Sequence, residues 1–177
     1  MGLDIRAVSK IEIEQPAEVK AMRRRLFIGG GEEEVFTLDS DLRKIDVYSM
    51  HTQDMKNGTY YETSESKSES ISFSYGGYNS FRNEISLALI DAPATEVWIN
   101  EQYYKESPAY KLINFSDCEG LFGPTVSKEI YEQLVANRDK YAEYIEKRED
   151  TIYPLPTYDK LTEIFRLGAD EGIIMFH

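Results

Sequence analysis

The segment "YGGYNSFRNE", residues 75–84, combines residue types that bind anions. Gly76 and Gly77 stand between a strand-like pattern and a helical one, and the free N–H groups of a helix start attract phosphate. Arg82 adds a charged donor, and the tyrosines add rings that stack on planar groups. Neither P-loop nor GxGxxG spacing is present, so a capped turn from strand to helix is the simpler interpretation.

The segment "SDCEG", residues 116–120, carries the single cysteine of the chain. A helix start lowers the pKa of a nearby thiol, but the carboxylates of Asp117 and Glu119 act in the opposite direction on Cys118. A nucleophilic thiol also needs a base, and the chain has only His51 and His177. The simpler interpretation is a structural loop with a small buried cysteine.

The two segments together are predicted to form a ligand-binding surface that has no catalytic residue. Asp117, Glu119 and His177 could ligate a divalent ion, but no HxH, HExxH or CxxC spacing supports them. We therefore predict no metal and no cofactor. The predicted ligand-binding residues are Tyr75, Gly76, Gly77, Tyr78, Asn79, Arg82, Asp117, Cys118 and Glu119.

The charge balance limits the partners. With 20 basic and 32 acidic residues the net charge is −12, and such a surface repels phosphate backbones. The predicted partner is therefore an unknown protein or a small anionic ligand, not a nucleic acid. No apolar run approaches the length of a membrane span, and no signal peptide is visible. The lone cysteine suits a reducing compartment, which predicts a cytoplasmic protein that does not bind membranes.

Strands at both ends of the chain must position these segments. Alternating apolar residues from Leu3 to Ile13 predict a strand with one slip near Ser9, and the terminal "IIMFH" predicts a buried strand. The runs "EVWI" and "YKLINF" also resemble strands.

Helices are predicted by residues that recur every three to four positions. One helix contains Phe81, Ile85 and Leu89, with Asn79 or Ser80 as its cap, a second covers 125–148, and a third follows Thr157. The prediction is an α+β fold, with a mainly antiparallel sheet and about three helices packed on one face.

The chain is predicted to be one globular domain over residues 1–177. No internal repeat or second self-sufficient core is visible. Residues 52–70 contain an Asn-Gly turn signal and serines that alternate with charges, which predicts a mobile polar loop.

Four blocks in the same order along the chain resemble an uncharacterised family of bacterial and bacteriophage proteins. The blocks are "MGLDI", "YGGYNSFRNE", "INFSDCEGLFGP" with the following "VSKE", and "ADEGIIMFH". The resemblance implies a bacterial cytoplasm, or a phage or other mobile element as the source. It implies no activity, cofactor or catalytic residue.

Three functions follow from these observations. The first is a small cytoplasmic domain that binds a ligand or a protein without catalysis. The second is an enzyme, a hydrolase or transferase, that uses the Asp117–Cys118–Glu119 loop. The third is a phage-encoded acidic inhibitor of a host protein, although lysines and arginines are interspersed with the acids of the predicted helix 125–148.

Overall fold

The computed structural model describes residues 2–13, 24–25, 37–38, 51–55, 58–62, 64–115 and 120–176. The main sheet has four strands, β1 (Gly2–Val8), β6 (Ser68–Ser74), β7 (Gly120–Phe122) and β8 (Ile173–Phe176). They lie in the order β6-β1-β8-β7, and every neighbouring pair is antiparallel. The predicted α+β class and the two terminal strands are therefore confirmed.

The predicted slip near Ser9 marks the end of β1. Lys10 has a φ of 51°, in the left-handed region, and the chain then enters a second sheet. In this sheet β5 pairs with the three other strands. The strands are β2 (Ile11–Ile13), β3 (Arg24–Arg25), β4 (Thr37–Leu38) and β5 (Gly58–Glu62). The stretch 52–70 thus contains β5 and the start of β6, whereas its mobility and the single-domain organisation stay predictions.

The described residues form seven helices, so the prediction of about three was wrong. They are α1 (Tyr75–Ile90), α2 (Ala94–Ile99), α3 (Glu101–Tyr104), α4 (Tyr110–Asn114), α5 (Pro124–Ala136), α6 (Arg138–Glu146) and α7 (Leu155–Ala169). The predicted strands "EVWI" and "YKLINF" belong to α2 and α4, because a short apolar run does not distinguish a strand from a buried helix. The predicted helix 125–148 divides at Asn137 into α5 and α6.

The two faces of the main sheet border different cores. Alternate residues of β8 separate them, since Ile174 and Phe176 join the larger core whereas Ile173 and Met175 join a smaller one. Buried residues of the helices belong to the larger core, and the smaller core includes Tyr60 of β5. None of the helices in the described part of the chain is long and apolar enough to cross a bilayer.

Candidate functional site

The glycine segment is the first turn of α1 and not a loop before it. Ser74, rather than Asn79 or Ser80, is the N-cap, and its Oγ accepts a hydrogen bond from the Gly77 N–H at 3.0 Å. The Gly77 carbonyl accepts one from the Tyr153 hydroxyl at 2.8 Å. Gly76 is exposed, Tyr75 is half-buried and Tyr78 is buried. The Ser74 cap therefore already occupies the Gly77 N–H, one of the backbone donors that the sequence suggested for an anion.

Arg82 is a buried structural link. Its side chain is 1% exposed, and Nη1 donates to the carbonyls of Phe115 and, at 3.3 Å, of Ile113. Nη2 donates to Oδ1 of Asn79. The guanidinium carbon lies 4.8 Å from the ring centre of Tyr78 and 5.1 Å from that of Trp98. The hydrogen bonds join α1 to the end of α4, and the contact of the guanidinium with Trp98 joins α1 to α2.

The residues Asp117, Cys118 and Glu119 lie outside the described residues, as does His177. The structure describes Phe115 before this segment and Gly120 after it. The bond from Arg82 to the Phe115 carbonyl brings α1 to the residue that immediately precedes the segment.

His51 lies beside the same two flanking regions. Its ring centre is 5.6 Å from that of Phe115 and 4.9 Å from that of Phe122. Burial, and then the charge of Lys111, lowers the pKa of His51 to about 4. Its Nδ1 is buried and has no hydrogen-bond partner among the described residues. His51 thus contacts phenylalanines on both sides of the "SDCEG" segment.

A groove of about 540 Å³ runs along the outer face of α1. We call it the α1 groove. Helix α1 forms its floor, α2 forms one wall, and the end of α6 with the following turn forms the other. The residues that matter for its chemistry are Asn79, Asn83, Trp98, Tyr144, Arg148 and Ile152. Its volume lies within the range that is usual for ligand pockets.

Two asparagine amides on the floor have a fixed orientation. Oδ1 of Asn79 accepts from Arg82, and Oδ1 of Asn83 accepts from the Ala94 N–H at 3.0 Å. Because only the oxygen of an amide side chain can accept, each Nδ2 remains a donor. Residues four apart lie on the same face of a helix, and both asparagines line the groove. Asn79 and Asn83 therefore each contribute an amide N–H donor to the floor.

The α2 wall contains Trp98, the only tryptophan of the chain. Its Nε1 donates to the Ile113 carbonyl at 2.8 Å, which holds the indole in place while 36% of the residue stays exposed. A fixed, half-exposed indole offers apolar area at little cost in conformational entropy.

The opposite wall is built around a charged pair. Arg148 donates from Nε and Nη2 to the two carboxylate oxygens of Asp150, both at 2.9 Å, and its guanidinium lies 5.1 Å from the ring centre of Tyr144. This hydrogen bonding raises the pKa of Arg148 and lowers the pKa of Asp150. The positive charge of Arg148 is therefore largely neutralised at the groove.

Glu84 attaches this wall to α1. Its buried carboxylate accepts from the N–H groups of Ile152 at 2.7 Å and Tyr153 at 3.2 Å, and from the Tyr141 hydroxyl at 3.4 Å. Burial, followed by the charge of Glu84, raises the pKa of Tyr141. The groove thus depends on hydrogen bonds between residues that are separated by 68 and 69 positions in the sequence.

No protein-family model, curated protein or solved structure matches the chain. The functional assignment therefore depends on the geometry of the groove. Of the predicted ligand-binding residues that the structure describes, only Asn79 lines it. The sequence offered one further signal for the floor, the four-residue spacing between Asn79 and Asn83. It offered no comparable signal for Trp98 or Arg148. In the described part of the chain no group of three or more His, Cys, Asp or Glu residues is arranged to hold a metal ion.

Proposed function

We propose that this protein is a small binding domain without catalytic activity, and that its binding site is the α1 groove. The observation that carries the proposal is the pair of oriented amide donors of Asn79 and Asn83 beside the indole of Trp98. Apolar lining with a few fixed polar groups is the usual composition of a binding pocket. A cytoplasmic setting is part of the proposal, because the single cysteine offers no disulfide partner.

The charged groups of the groove support binding rather than acid–base chemistry. The Glu84 carboxylate accepts three hydrogen bonds from the protein, and both oxygens of Asp150 accept from Arg148. A general acid or base needs a free position within hydrogen-bond reach of the substrate. These carboxylates instead hold the walls in place.

Trp98 provides the test, because the fluorescence of a single tryptophan reports on this groove alone. Wild-type protein is titrated with three probe classes: capped dipeptides, neutral sugars and nucleosides. The proposal predicts a saturable change in emission with at least one class and weaker binding in Asn83→Asp, which retains the acceptor for Ala94 but loses the donor. Asn137→Asp adds the same charge away from the groove and should bind as wild type does. Unchanged emission with every class, together with no response to longer peptides, would contradict the proposal.

An enzyme that uses Asp117, Cys118 or Glu119 is a second candidate, a hydrolase or transferase. The observation that favours it is His51, whose half-buried ring contacts Phe115 and Phe122 on either side of that segment. The test is the rate at which iodoacetamide labels the native protein, measured against pH in wild type and in His51→Gln. A thiol that uses His51 as its base should lose its pH profile in the variant. Equal profiles, or no labelling, would exclude this use of Cys118.

A further inference from the structure

Exposed apolar side chains follow the α2 wall in the chain. Ile99 is 82% exposed and Tyr103 is 81% exposed, and both follow Trp98 closely in the chain. Across the groove Ile152 is 65% exposed. Exposed apolar side chains gathered beside a groove are typical of a surface that binds another protein.

The two chain segments that contain the walls carry an excess of negative charge, and we call them the acidic rims. Residues 91–106 contain four acidic residues and one lysine, and residues 143–152 contain four acidic residues and two basic ones. The two basic side chains of the second segment already form ion pairs with acids of that segment. Nζ of Lys147 lies 3.2 Å from Oε2 of Glu143, and Nη2 of Arg148 lies 2.9 Å from Oδ2 of Asp150. The charge of the rim therefore complements a positively charged partner.

The spacing of the two amide donors matches an extended chain. Four residues along a helix advance the backbone by about 6 Å. In an extended polypeptide, carbonyl groups on the same side recur every second residue, at about 6.6 Å. The backbone positions of Asn79 and Asn83 are thus spaced along α1 like two successive carbonyls on one edge of such a chain.

Resting on the function proposed above, we propose that the α1 groove receives an extended, positively charged segment of a partner protein. Backbone carbonyls of the segment accept from Asn79 and Asn83, and an apolar side chain packs between Trp98 and Ile152. Lysine or arginine side chains of the segment reach the acidic rims. The amides fix the conformation of the bound chain, and the rims select its charge.

The test uses two fluorescein-labelled peptides of about ten residues, a length that spans roughly 33 Å when extended. One alternates lysine and valine, and the other alternates glutamate and valine. Fluorescence anisotropy at physiological salt should show saturable binding of the lysine peptide only. Equal binding of the glutamate peptide would overturn the proposal.

Asn83→Asp separates the two parts of the mechanism, because it removes a donor and adds a negative charge. If the amide binds a carbonyl, the lysine peptide should bind about tenfold more weakly, as expected for one lost hydrogen bond and a new repulsion. If only charge matters, it should bind more tightly, and that result would refute the carbonyl contact. Asn137→Asp, with the same added charge, should not weaken binding.

The two sets of probes distinguish the peptide-binding inference from the proposed binding function. A groove that responds to sugars, nucleosides or capped dipeptides but to neither peptide would overturn this inference and leave the binding site standing. A Trp98 signal that responds to no probe would contradict both.

Discussion

Replacing Arg82 with alanine removes the guanidinium that connects α1 with the end of α4. The wild-type side chain donates to the carbonyls of Ile113 and Phe115 and to Oδ1 of Asn79. In Arg82→Ala each of these three acceptors loses the guanidinium donor, although the Ile113 carbonyl keeps its hydrogen bond from Trp98 Nε1. The rings of Tyr78 and Trp98 also lose the cation between them.

The magnitude follows from the number and type of these contacts. A hydrogen bond to a charged group contributes about 1.5–3 kcal/mol, and a desolvated cation–π contact contributes about 2 kcal/mol. The cost of desolvating the buried guanidinium in the wild type offsets part of this stabilisation. We therefore expect Arg82→Ala to lower the free energy of unfolding by about 4 kcal/mol, close to the cost of breaking a buried polar network. For a chain of this size the melting temperature should fall by about 10 °C.

The assay is urea unfolding followed by circular dichroism and by Trp98 fluorescence. Arg148→Ala is the matched control, because Arg148 is an exposed arginine with an ion pair to Asp150. Its replacement should lower the free energy of unfolding far less. Arg82→Lys keeps the charge but loses the planar guanidinium, and its free energy of unfolding should lie between those of the wild type and of Arg82→Ala. If Arg82→Ala unfolds at the same urea concentration as Arg148→Ala, the buried link described above is wrong.

Three further perturbations test other parts of the structure. His51 is neutral when folded because its pKa is about 4, below the usual 6.5, so the unfolded state takes up the proton first as the pH falls. The free energy of unfolding should therefore drop by up to about 1.4 kcal/mol per pH unit between pH 6.5 and 5, and a slope that His51→Gln leaves unchanged would contradict this. Gly76→Ala should stabilise α1 by about 0.5–1 kcal/mol because a Cβ there meets nothing within 4 Å. By contrast, Gly77→Ala should destabilise it, because its Cβ would lie 2.9 Å from the Ser74 Oγ and the Tyr153 hydroxyl; equal thermal melts for the two variants would count against the Ser74 cap. Glu84→Gln should lower the free energy of unfolding by about 2 kcal/mol, because an amide N–H₂ then faces a backbone donor. A loss of less than about 0.5 kcal/mol in urea unfolding would argue against the hydrogen bonds of Glu84 to the 152–153 backbone.

The sequence patterns were sufficient for elements whose periodicity extends over many residues. The alternation from Leu3 onward and the apolar run at 173–176 correctly predicted the central strands, because each places apolar side chains on a buried face. The short runs of α2 and α4 were assigned to strands, because tertiary packing rather than periodicity decides the conformation of four to six residues.

The candidate site was less accessible from the sequence. The glycines at 76 and 77 suggested a loop because glycine weakens helices, whereas the Ser74 cap includes them in the first turn of α1. Arg82 suggested an anion clamp, and only the three-dimensional structure shows that carbonyls of α4 take up its donors. The second wall of the groove depends on the bond from Ile152 to Glu84, and no local pattern encodes a contact over 68 residues.

The most direct measurement of the central claim is an NMR titration that follows the side-chain amide signals of Asn79 and Asn83 while the lysine–valine peptide is added. Both Nδ2–H₂ signals should move downfield in a saturable manner, with the same affinity that Trp98 fluorescence reports, whereas the Asn137 amide signal should not shift. Peptide binding that leaves the Asn79 and Asn83 amides unshifted, or no binding of any probe, would contradict the assignment of the α1 groove as the binding site.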